Sequence, residues 1–449
     1  MGAPERAGAI GHHHVGDGMT AAGLTCTHSV RVANAVNGLI DLSARVTGFN
    51  CDQRAMWGVY SGMNARITLN NYDGALTPGG GGTYSAVQWF ACGIGIYGTV
   101  NYATAITEQT EFAGYITDFD LVDDGINSTV TLTCIDPLRV AGQQAKQTFG
   151  ANTGTLYDFL VATVAGSPGA WQWPTQLTGG TGAAFGIDYS GVALPTVSTN
   201  VAYVGSPVDY INTVVLPAGP AKLWSTGVPL KQVAGPGPIA TVGAVLAGLS
   251  LKESARLPFT FSYTGVTGAT LPFKELQQSY GMEEIVSQAT ITPAIAGGVA
   301  QLANGTLASL YGTRARSWSA VAATSNASAL DVATGIVNRW GSNVTFVPAT
   351  LTTTTNLLES ATETQTLANK KLAGDQLQNL LSCATVNAQQ VTTTFKGHNT
   401  TAQTKSSIVI GRKIASTVND TVITLELDDW TNGHSWILGT DTLDVDRLA

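Results

Sequence analysis

The sequence predicts a mainly β protein with smaller α+β parts, and three observations support that fold class. Residues 25 to about 140 form short β-prone runs separated by Gly, Asn and Asp, which is typical of strands joined by tight turns. The middle third instead contains short stretches with helix-capping residues and helical apolar spacing. The last third returns to β-runs such as TTTFKGHN, KSSIVIGRKIAS and DTVITLELDDW. The order is therefore β, then α+β, then β.

The clearest element of the first third is an acidic hairpin in TEFAGYITDFDLVDDGINSTVTLTCID. Strict alternation predicts one mostly apolar face and one mostly acidic face. The first comprises Tyr115, Thr117, Phe119 and Leu121, and the second comprises Ile116, Asp118 and Asp120. Asp123, Asp124 and Gly125 then favour a turn before the alternating TVTLTCID. We expect this hairpin to belong to a β-barrel or a sandwich.

Three helices are predicted in the middle of the chain from capping-box spacing, in which Ser or Thr is followed three residues later by an acidic residue. The pairs are Thr155 with Asp158, Ser206 with Asp209, and Ser328 with Asp331. The third helix is expected to carry Leu330, Ala333, Val337 and Trp340 on one face. Before it, the Gly/Pro-rich run at 234–248 favours a loop without a helix or a long strand.

Composition limits the possible functions. At 449 residues the chain has room for two to four domains, and its 44% apolar content excludes a disordered protein. Only 12% of the residues are charged, which favours either a subunit with large buried interfaces or a lightly charged secreted β-protein. The net charge of -8 opposes sequence reading of DNA, because no basic face neutralises phosphates. An acidic wall would still let nucleic acid slide past it.

The N-terminal segment and the cysteines indicate where the chain is made. Residues 1–24 lack the pattern of a secretory signal and predict a flexible leader, and no stretch reaches the ~18 apolar residues of a membrane span. The cysteines are odd in number and show no C-x-x-C spacing. They are Cys26, Cys51, Cys92, Cys134 and Cys383. We expect reduced, buried thiols from cytoplasmic synthesis.

Two sequence features suggest ligand binding and are better explained without it. GIGIYG, with Gly93, Gly95 and Gly98, has dinucleotide-binding spacing, but the residues after it do not favour a helix. Glycines that relieve crowding in a sheet explain it better. The adjacent His12, His13 and His14 cannot all face one ion unaided. His28, His398 and His434 are isolated. No metal or cofactor is therefore predicted.

Paired carboxylates could support glycoside hydrolysis, and the densest acidic group is Asp118, Asp120, Asp123 and Asp124. Its last two members fit a hairpin turn better, and the group lacks EF-hand spacing. Glu283 and Glu284 sit just before a predicted strand. The sequence contains no G-x-S-x-G, H-E-x-x-H or P-loop motif. We therefore expect no catalytic residues and a structural or interaction protein.

The segment ARITLNNYDGALTP, residues 65–78, is physically a strand and a tight turn, and it resembles a recurring segment of phage minor tail proteins. In that family a strand reading A-x-[IV]-T-L-x-N is followed by a D-G turn and a T-P or S-P. Asn71, Asp73, Gly74 and Pro78 match these positions. The family continues with a G-x-[IV] strand, an acidic turn and V-T-[LV]-x-[AC]-x-D-x-L. Asp118 and Asp136 fall in these elements, in the same order.

Two later segments are similar to the same family. Tyr311, Gly312 and Arg314 match the end of its S-[IL]-x-x-Y-G-x-R run, although two spacer residues before the tyrosine are missing here. The terminal WILGTDTLDVDRLA, which contains Gly439, falls where the family has its own terminal segment. The resemblance covers about residues 28 to 449 and matches least well over 150–275.

This family looks like the baseplate hub of long-tailed phages (siphophages), related to the hubs of contractile tails and of secretion spikes. The resemblance implies two tail-tube-like β-barrel domains at 25–150 and 349–449. Between them it implies an α+β domain at 151–275 and a region with a strand and an amphipathic helix at 276–348. It also implies a homotrimer at the distal end of the tail, without cofactor or enzymatic activity.

The implied role is that of a structural virion protein of the tail tip, made in the cytoplasm of the bacterial host. The trimer would join the tail tube protein and the distal tail protein to the tip, and surround the channel through which tape-measure protein and DNA leave. Its partners would include other minor tail proteins or a central fibre, with genome DNA only in passage and the host envelope only indirectly. Two alternatives remain open, a distal tail ring protein and a host-glycan-binding adhesin or hydrolase of the tail.

Overall fold

Strands dominate the chain in the computed structural model, as the sequence predicts. The structure describes residues 22–34, 38–56, 59–90, 92–136, 139, 147–155, 184–188, 196–199, 203–210, 213–214, 222–225, 245–250, 258–279, 285–294, 298–338, 347–383, 390–398 and 400–429. Gly439, Glu283, Glu284 and the three adjacent N-terminal histidines lie outside these residues, as does the first predicted helix beyond Thr155.

The first third of the chain contributes seven strands and one turn of 3-10 helix at Ser43–Arg45. The strands are β1 (Cys26–Asn34), β2 (Gly38–Asp41), β3 (Val46–Met56), β4 (Val59–Asn70), β5 (Gly93–Val100), β6 (Gln109–Asp123) and β7 (Ser128–Ile135). All neighbouring pairs among them are antiparallel.

The middle of the chain adds short strands in small sheets. They are β8 (Gln147–Phe149), β9 (Asn152–Thr155), β10 (Ala184–Asp188), β11 (Thr196–Thr199), β12 (Tyr203–Gly205), β13 (Lys222–Ser225) and β14 (Val245–Ser250), with a short helix α1 (Pro207–Tyr210). β14 includes the end of the Gly/Pro-rich run, where the sequence favours a loop, and it pairs in parallel with β10 and antiparallel with β13.

The remaining described elements are nine strands and four helices. They are β15 (Phe259–Ser262), β16 (Glu275–Ser279), β17 (Gln288–Pro293), β18 (Ala300–Ala303), α2 (Gly305–Tyr311), β19 (Ala315–Val321), α3 (Asn326–Asn338), β20 (Val347–Thr354), α4 (Thr355–Thr362), α5 (Leu367–Leu381), β21 (Gln390–Phe395), β22 (Gln403–Thr417) and β23 (Thr421–Asp429). β17, β18 and β19 form a separate three-stranded sheet covered by α3.

One 13-stranded sheet unites the two ends of the chain. Its main path runs β16-β20-β23-β22-β3-β4-β7-β6-β5-β1-β2, with β21 paired to β22 and β15 paired to β21. The N-terminal and C-terminal strands meet where β22 pairs antiparallel with β3, from Gly411 opposite Arg54 to Thr417 opposite Gly48. Within the described residues the two sets of strands therefore form one sheet and one hydrophobic core rather than two separate ones.

A β-bulge in β6 corrects the predicted faces of the acidic hairpin. The register shifts between Ile116 and Asp118, so that Thr117 is an extra residue in its strand. Ile116 pairs with Cys134 and Phe119 with Leu132, and all four belong to or pack on the core. Strict alternation fails because the extra residue turns the later part of the strand over.

Helices α4 and α5 are absent from the sequence prediction, which expects only β-runs in the last third. Threonine side chains cap both, because Thr354 Oγ1 accepts from Leu357 N at 3.1 Å and Thr366 Oγ1 from Asn369 N at 3.3 Å. α5 buries Ala373, Leu377, Leu380 and Leu381. The predicted N-terminal leader ends against this pair, since Leu24 N donates to Thr362 Oγ1 at 2.7 Å.

Of the other two predicted helix caps, the one at Ser206 is present and the one at Ser328 is misplaced. Ser206 and Asp209 form the reciprocal capping box of α1, with Asp209 N donating to Ser206 Oγ at 3.1 Å and Ser206 N to Asp209 Oδ2 at 3.3 Å. The prediction for α3 is wrong by one turn. Its first turn is capped by Ser325, whose Oγ accepts from Ser328 N at 3.1 Å.

The buried face of α3 also differs from the prediction. Ala333 and Val337 are buried as expected, but Leu330 is 41% exposed and Trp340 lies outside the described residues. Ala329 and Val332 are buried with Ala333. The core-facing stripe is therefore centred on small residues, which lets α3 lie close to β17 and β18.

Candidate functional site

The turn after β4 is built around the buried side chain of Asn71. Its Nδ2 donates to Thr77 Oγ1 at 2.9 Å and to Ser128 Oγ at 3.0 Å, and its Oδ1 accepts from Leu76 N at 2.7 Å. Its main-chain N also donates to Ser128 O at 2.8 Å. Asn71 is fully buried. It therefore fixes the loop after β4 to the start of β7.

The neighbouring positions of the same motif shape the turn. Asp73 Oδ2 pairs with Arg45 Nη2 at 2.7 Å, and this hydrogen bond holds the pKa of Asp73 at about 2. Gly74 has φ 65°, a left-handed conformation that favours glycine. Pro78 is exposed. The strand and turn expected from the sequence are thus present, held by contacts up to 57 residues away in sequence.

The acidic turn between β6 and β7 lies beside the Asn71 turn. Asp123 Oδ1 accepts from Gly125 N at 2.9 Å, and Asp124 Oδ1 accepts from Ile126 N at 2.9 Å and Asn127 N at 2.6 Å. These main-chain donors lower the pKa of Asp124. Both carboxylates therefore serve the turn, as the hairpin interpretation predicts.

The two turns enclose an open cleft of about 520 Å³ at one end of the sheet. Its lining includes Asn71, Gly74, Asp123 and Asn127. Two apolar side chains on its rim face solvent, since Tyr72 is 79% and Ile126 78% exposed. A polar cleft with exposed apolar side chains at its edge is suited to contact with another protein.

The other hairpin motif residues have separate positions. Asp118 is exposed on β6, where its Oδ2 accepts from Thr117 Oγ1 at 3.1 Å beside the bulge. Asp136 is fully buried at the end of β7. Its N donates to Met63 O at 3.0 Å, and its Oδ1 accepts from Arg139 N at 2.8 Å. Asp136 thus ends the strand and redirects the chain.

The end of α2 and the residues after it contain the later motif residues Tyr311, Gly312 and Arg314, far from the Asn71 turn in sequence. Tyr311 closes the helix, Gly312 follows with φ 77°, and Arg314 Nε donates back to Tyr311 O at 3.3 Å. Ser287 is fully buried beside them, and its Oγ accepts from Arg314 N at 2.8 Å. Sequence reasoning does not find Ser287, because its partner is 27 residues away.

The glycines of GIGIYG lie inside an antiparallel sheet, with β5 between β1 and β6. A nucleotide-binding loop requires a strand-to-helix turn, so this arrangement excludes one here. A Cβ on Gly95 would lie 2.1 Å from Tyr97 Oη, and one on Gly98 would lie 2.2 Å from Glu111 Oε1. The glycines therefore make room for neighbouring side chains, as the sequence predicts.

A buried polar cluster lies next to Gly98, where the absence of a side chain leaves room for Glu111. The sequence does not predict this cluster. Glu111 reaches over β5 to His28 on β1, whose Nδ1 lies 3.0 Å from Oε1 and 3.2 Å from Oε2. His28 Nε2 lies 2.9 Å from Thr421 Oγ1 at the start of β23. Cys26, two residues before His28, completes the cluster. Its members come from distant parts of the sequence, so no local spacing reveals it.

Burial and charge set the protonation of this cluster. Burial by itself lowers the pKa of His28, but the Glu111 carboxylate and the Cys26 sulfur raise it well above 6.5. Burial raises the pKa of the Cys26 thiol. A protonated His28 thus compensates the charge of Glu111, which is fully buried.

Arg412 joins the same region from β22. Its guanidinium donates to three main-chain carbonyl oxygens, those of Glu111 at 2.6 Å, Leu380 at 3.3 Å and Leu381. The side chain is 1% exposed, which is rare for arginine. Arg412 therefore ties the C-terminal strands and α5 to β6.

All five cysteines lie in the described part of the chain and form no disulfide bond. Four are buried and Cys26 is half-buried. Burial raises the pKa of Cys51 to about 12 and also raises the pKa of Cys134. These two thiols are inert core groups rather than nucleophiles.

The fold of this chain is similar to that of a solved tail protein. The tail protein from Neisseria meningitidis MC58 aligns with 91% of this chain and 98% of its own, with a TM-score of 0.52 and 11% sequence identity. The resemblance that the sequence motifs indicate is thereby confirmed at the level of the fold. No protein-family profile matches the chain, and no curated protein matches it in sequence.

Two further solved structures align less closely. The 43 kDa tail protein of prophage MuSo2 from Shewanella oneidensis is 10% identical, with a TM-score of 0.49 over 91% of this chain and 99% of its own. The E. coli c3393 protein, a component of the type VI secretion system, is 9% identical, with a TM-score of 0.40 over 86% and 74%. Among the described helices, none is long and apolar enough to cross a membrane.

Proposed function

We propose that the chain is a structural subunit of a phage tail tip, and specifically its trimeric baseplate hub. The observation that carries this proposal is the tail-protein fold, which extends over 91% of this chain and 98% of the Neisseria tail protein. The site residues add to it, since most of the described motif residues shape a turn, end a strand or close a helix. No described motif residue is arranged for catalysis, which favours a structural role.

The curvature of the sheet supports a barrel-like arrangement in the proposed hub. The ring of His28 on β1 contacts that of Phe49 on β3 edge-on, with 5.0 Å between the ring centroids, although four strands lie between β1 and β3 in the sheet order. His28 also hydrogen-bonds Thr421 at the start of β23, although six strands lie between β1 and β23. The sheet must curve for these contacts to form. We assign one barrel to 25–150 and the second to 349–449, with α+β parts at 151–275 and 276–348 between them.

A hub of this kind would match a six-fold tube, because three subunits with two barrels each present six tube-like units. The low charge of the chain fits large subunit interfaces. We propose that the cleft with Tyr72 and Ile126 on its rim contacts the distal tail ring. The net charge of -8 fits a channel that releases tape-measure protein and DNA.

The mass of the purified assembly tests this proposal against its alternatives. We expect native mass spectrometry of the full chain to give three times its 46.5 kDa mass. A six-fold assembly would instead favour the distal tail ring. A monomer that binds or cleaves host cell-wall polysaccharide would favour the adhesin or hydrolase and overturn the hub.

A further inference from the structure

The cluster above Gly98 contains three side chains of the types that bind zinc-class cations. Cys26 and His28 lie two residues apart on β1, so they share one face of the strand. Glu111 reaches the same place from β6, across the position where residue 98 has no side chain. One donor atom from each of the three lies within 4.8 Å of the other two.

The separations are close to those of a coordination site. Ligand atoms around tetrahedral zinc are roughly 3.3–3.8 Å apart, given Zn–N and Zn–O distances of about 2.0–2.1 Å and Zn–S of about 2.3 Å. His28 Nδ1 already lies 3.0 and 3.2 Å from the two Glu111 oxygens. The Cys26 sulfur lies within 4.8 Å of a donor atom of each of the other two residues, so small side-chain adjustments bring all three donors to one ion.

One carboxylate oxygen is buried and lacks a hydrogen bond. Nδ1 of His28 bonds Glu111 Oε2, whereas Oε1 faces the same nitrogen without hydrogen-bonding geometry and has no other partner in the described part of the chain. Glu111 is fully buried, and a buried acceptor without a donor is costly. The nearby Arg412 donates to main-chain carbonyl oxygens.

The second nitrogen of His28 is arranged as in metal-bound imidazole. Metal-binding histidines commonly use the other ring N–H as a donor to an outer oxygen, which fixes the ring and its tautomer. Thr421 Oγ1, 2.9 Å from His28 Nε2, provides that acceptor. A thiolate, a carboxylate and a divalent ion also sum to zero net charge, which suits a buried position.

We propose that Cys26, His28 and Glu111 bind one zinc-class divalent cation. Thiolate, imidazole and carboxylate are the ligand set that zinc accepts. Water completes the coordination from the side of Cys26, which is only half-buried. The ion ties β1 to β6 and, through Thr421, to the C-terminal strands. This site is independent of the proposed hub function, because it depends only on these side chains.

The test is metal retention by the full chain, with His12, His13 and His14 changed to Ala so that they do not contribute. After dialysis against Zn²⁺ and then metal-free buffer, we expect one zinc per chain. Replacement by Co²⁺ should give the intense near-ultraviolet band of a thiolate-bound ion. Cys26→Ser should abolish that band, and Glu111→Gln should weaken zinc retention at least tenfold. His398→Gln, an exposed matched control, should change neither.

A second variant changes the position of the Glu111 carboxylate without replacing a ligand. Gly98→Ala leaves all three ligands in the chain but puts a methyl carbon 2.2 Å from Glu111 Oε1 and 2.7 Å from Leu381 Cδ1, so zinc retention should fall while the thiolate band shifts or weakens. Circular dichroism confirms that each variant is folded. Complete zinc loss from the parent chain, or equal binding by folded Cys26→Ser, would overturn the site.

Discussion

Replacement of Arg412 by methionine is expected to lower the free energy of unfolding by about 3–5 kcal/mol, the largest stability loss that we foresee. Methionine keeps much of the side-chain volume but has no donors. The carbonyl oxygens of Glu111, Leu380 and Leu381 would then be buried without their side-chain donor. Each such loss costs roughly 1–3 kcal/mol. Chemical denaturation followed by circular dichroism measures the difference.

Lys413 provides the matched control, because it is the next residue along β22 and its side chain is 58% exposed. Its ammonium lies 3.4 Å from Glu426, a surface pair worth less than about 1 kcal/mol. Lys413→Met should therefore change stability by no more than that. Equal effects of the two substitutions would contradict the role that we assign to Arg412.

Replacement of Asn71 by alanine is expected to lower the free energy of unfolding by about 2–3 kcal/mol. The buried Leu76 N–H would lose its acceptor, and the hydroxyl groups of Thr77 and Ser128 would lose a donor. The loop after β4 should also come away from β7. Denaturation gives the first effect, and faster amide hydrogen exchange at residues 74–77 gives the second.

Asn70→Ala tests whether the effect belongs to the buried amide. Asn70 is exposed, and its Oδ1 accepts a local bond from Tyr72 N at 2.8 Å. We expect a loss below about 1 kcal/mol and unchanged exchange at 74–77. If Asn71→Ala were no worse than Asn70→Ala, Asn71 would be an ordinary turn residue.

The local features of the fold could be predicted from the sequence. The hairpin turn at Asp123–Gly125 and the capping box of Ser206 and Asp209 depend on residues within three positions of one another. The β-bulge at Thr117 could not, since it depends on how β6 pairs with β7. One extra residue there is enough to move Phe119 to the face of Ile116.

Helices α4 and α5 show how a competing pattern conceals an element. The run TLTTTT, residues 350–355, favours a strand. β20 occupies this run as far as Thr354, and the side chain of Thr354 caps α4, which begins at the next residue. The spacing of Ala373, Leu377, Leu380 and Leu381 was the signal available for α5. It is typical of a helix with one buried face.

Most of the functional geometry depends on contacts that are distant in sequence. Asn71 could be singled out by the motif, but not its bond to Ser128, 57 residues away. His28 looks isolated in the sequence, yet Glu111 is 83 positions away and Thr421 393 positions away. Only the curvature and order of the sheet bring these residues together.

We propose that this chain forms the three-fold hub at the distal end of a tail. A reconstruction of a phage particle that contains the chain tests it most directly. We expect three copies around the tail axis below the tube, with Tyr72 and Ile126 directed toward the ring above them. Six copies in a ring, or copies located away from the axis, would contradict the hub.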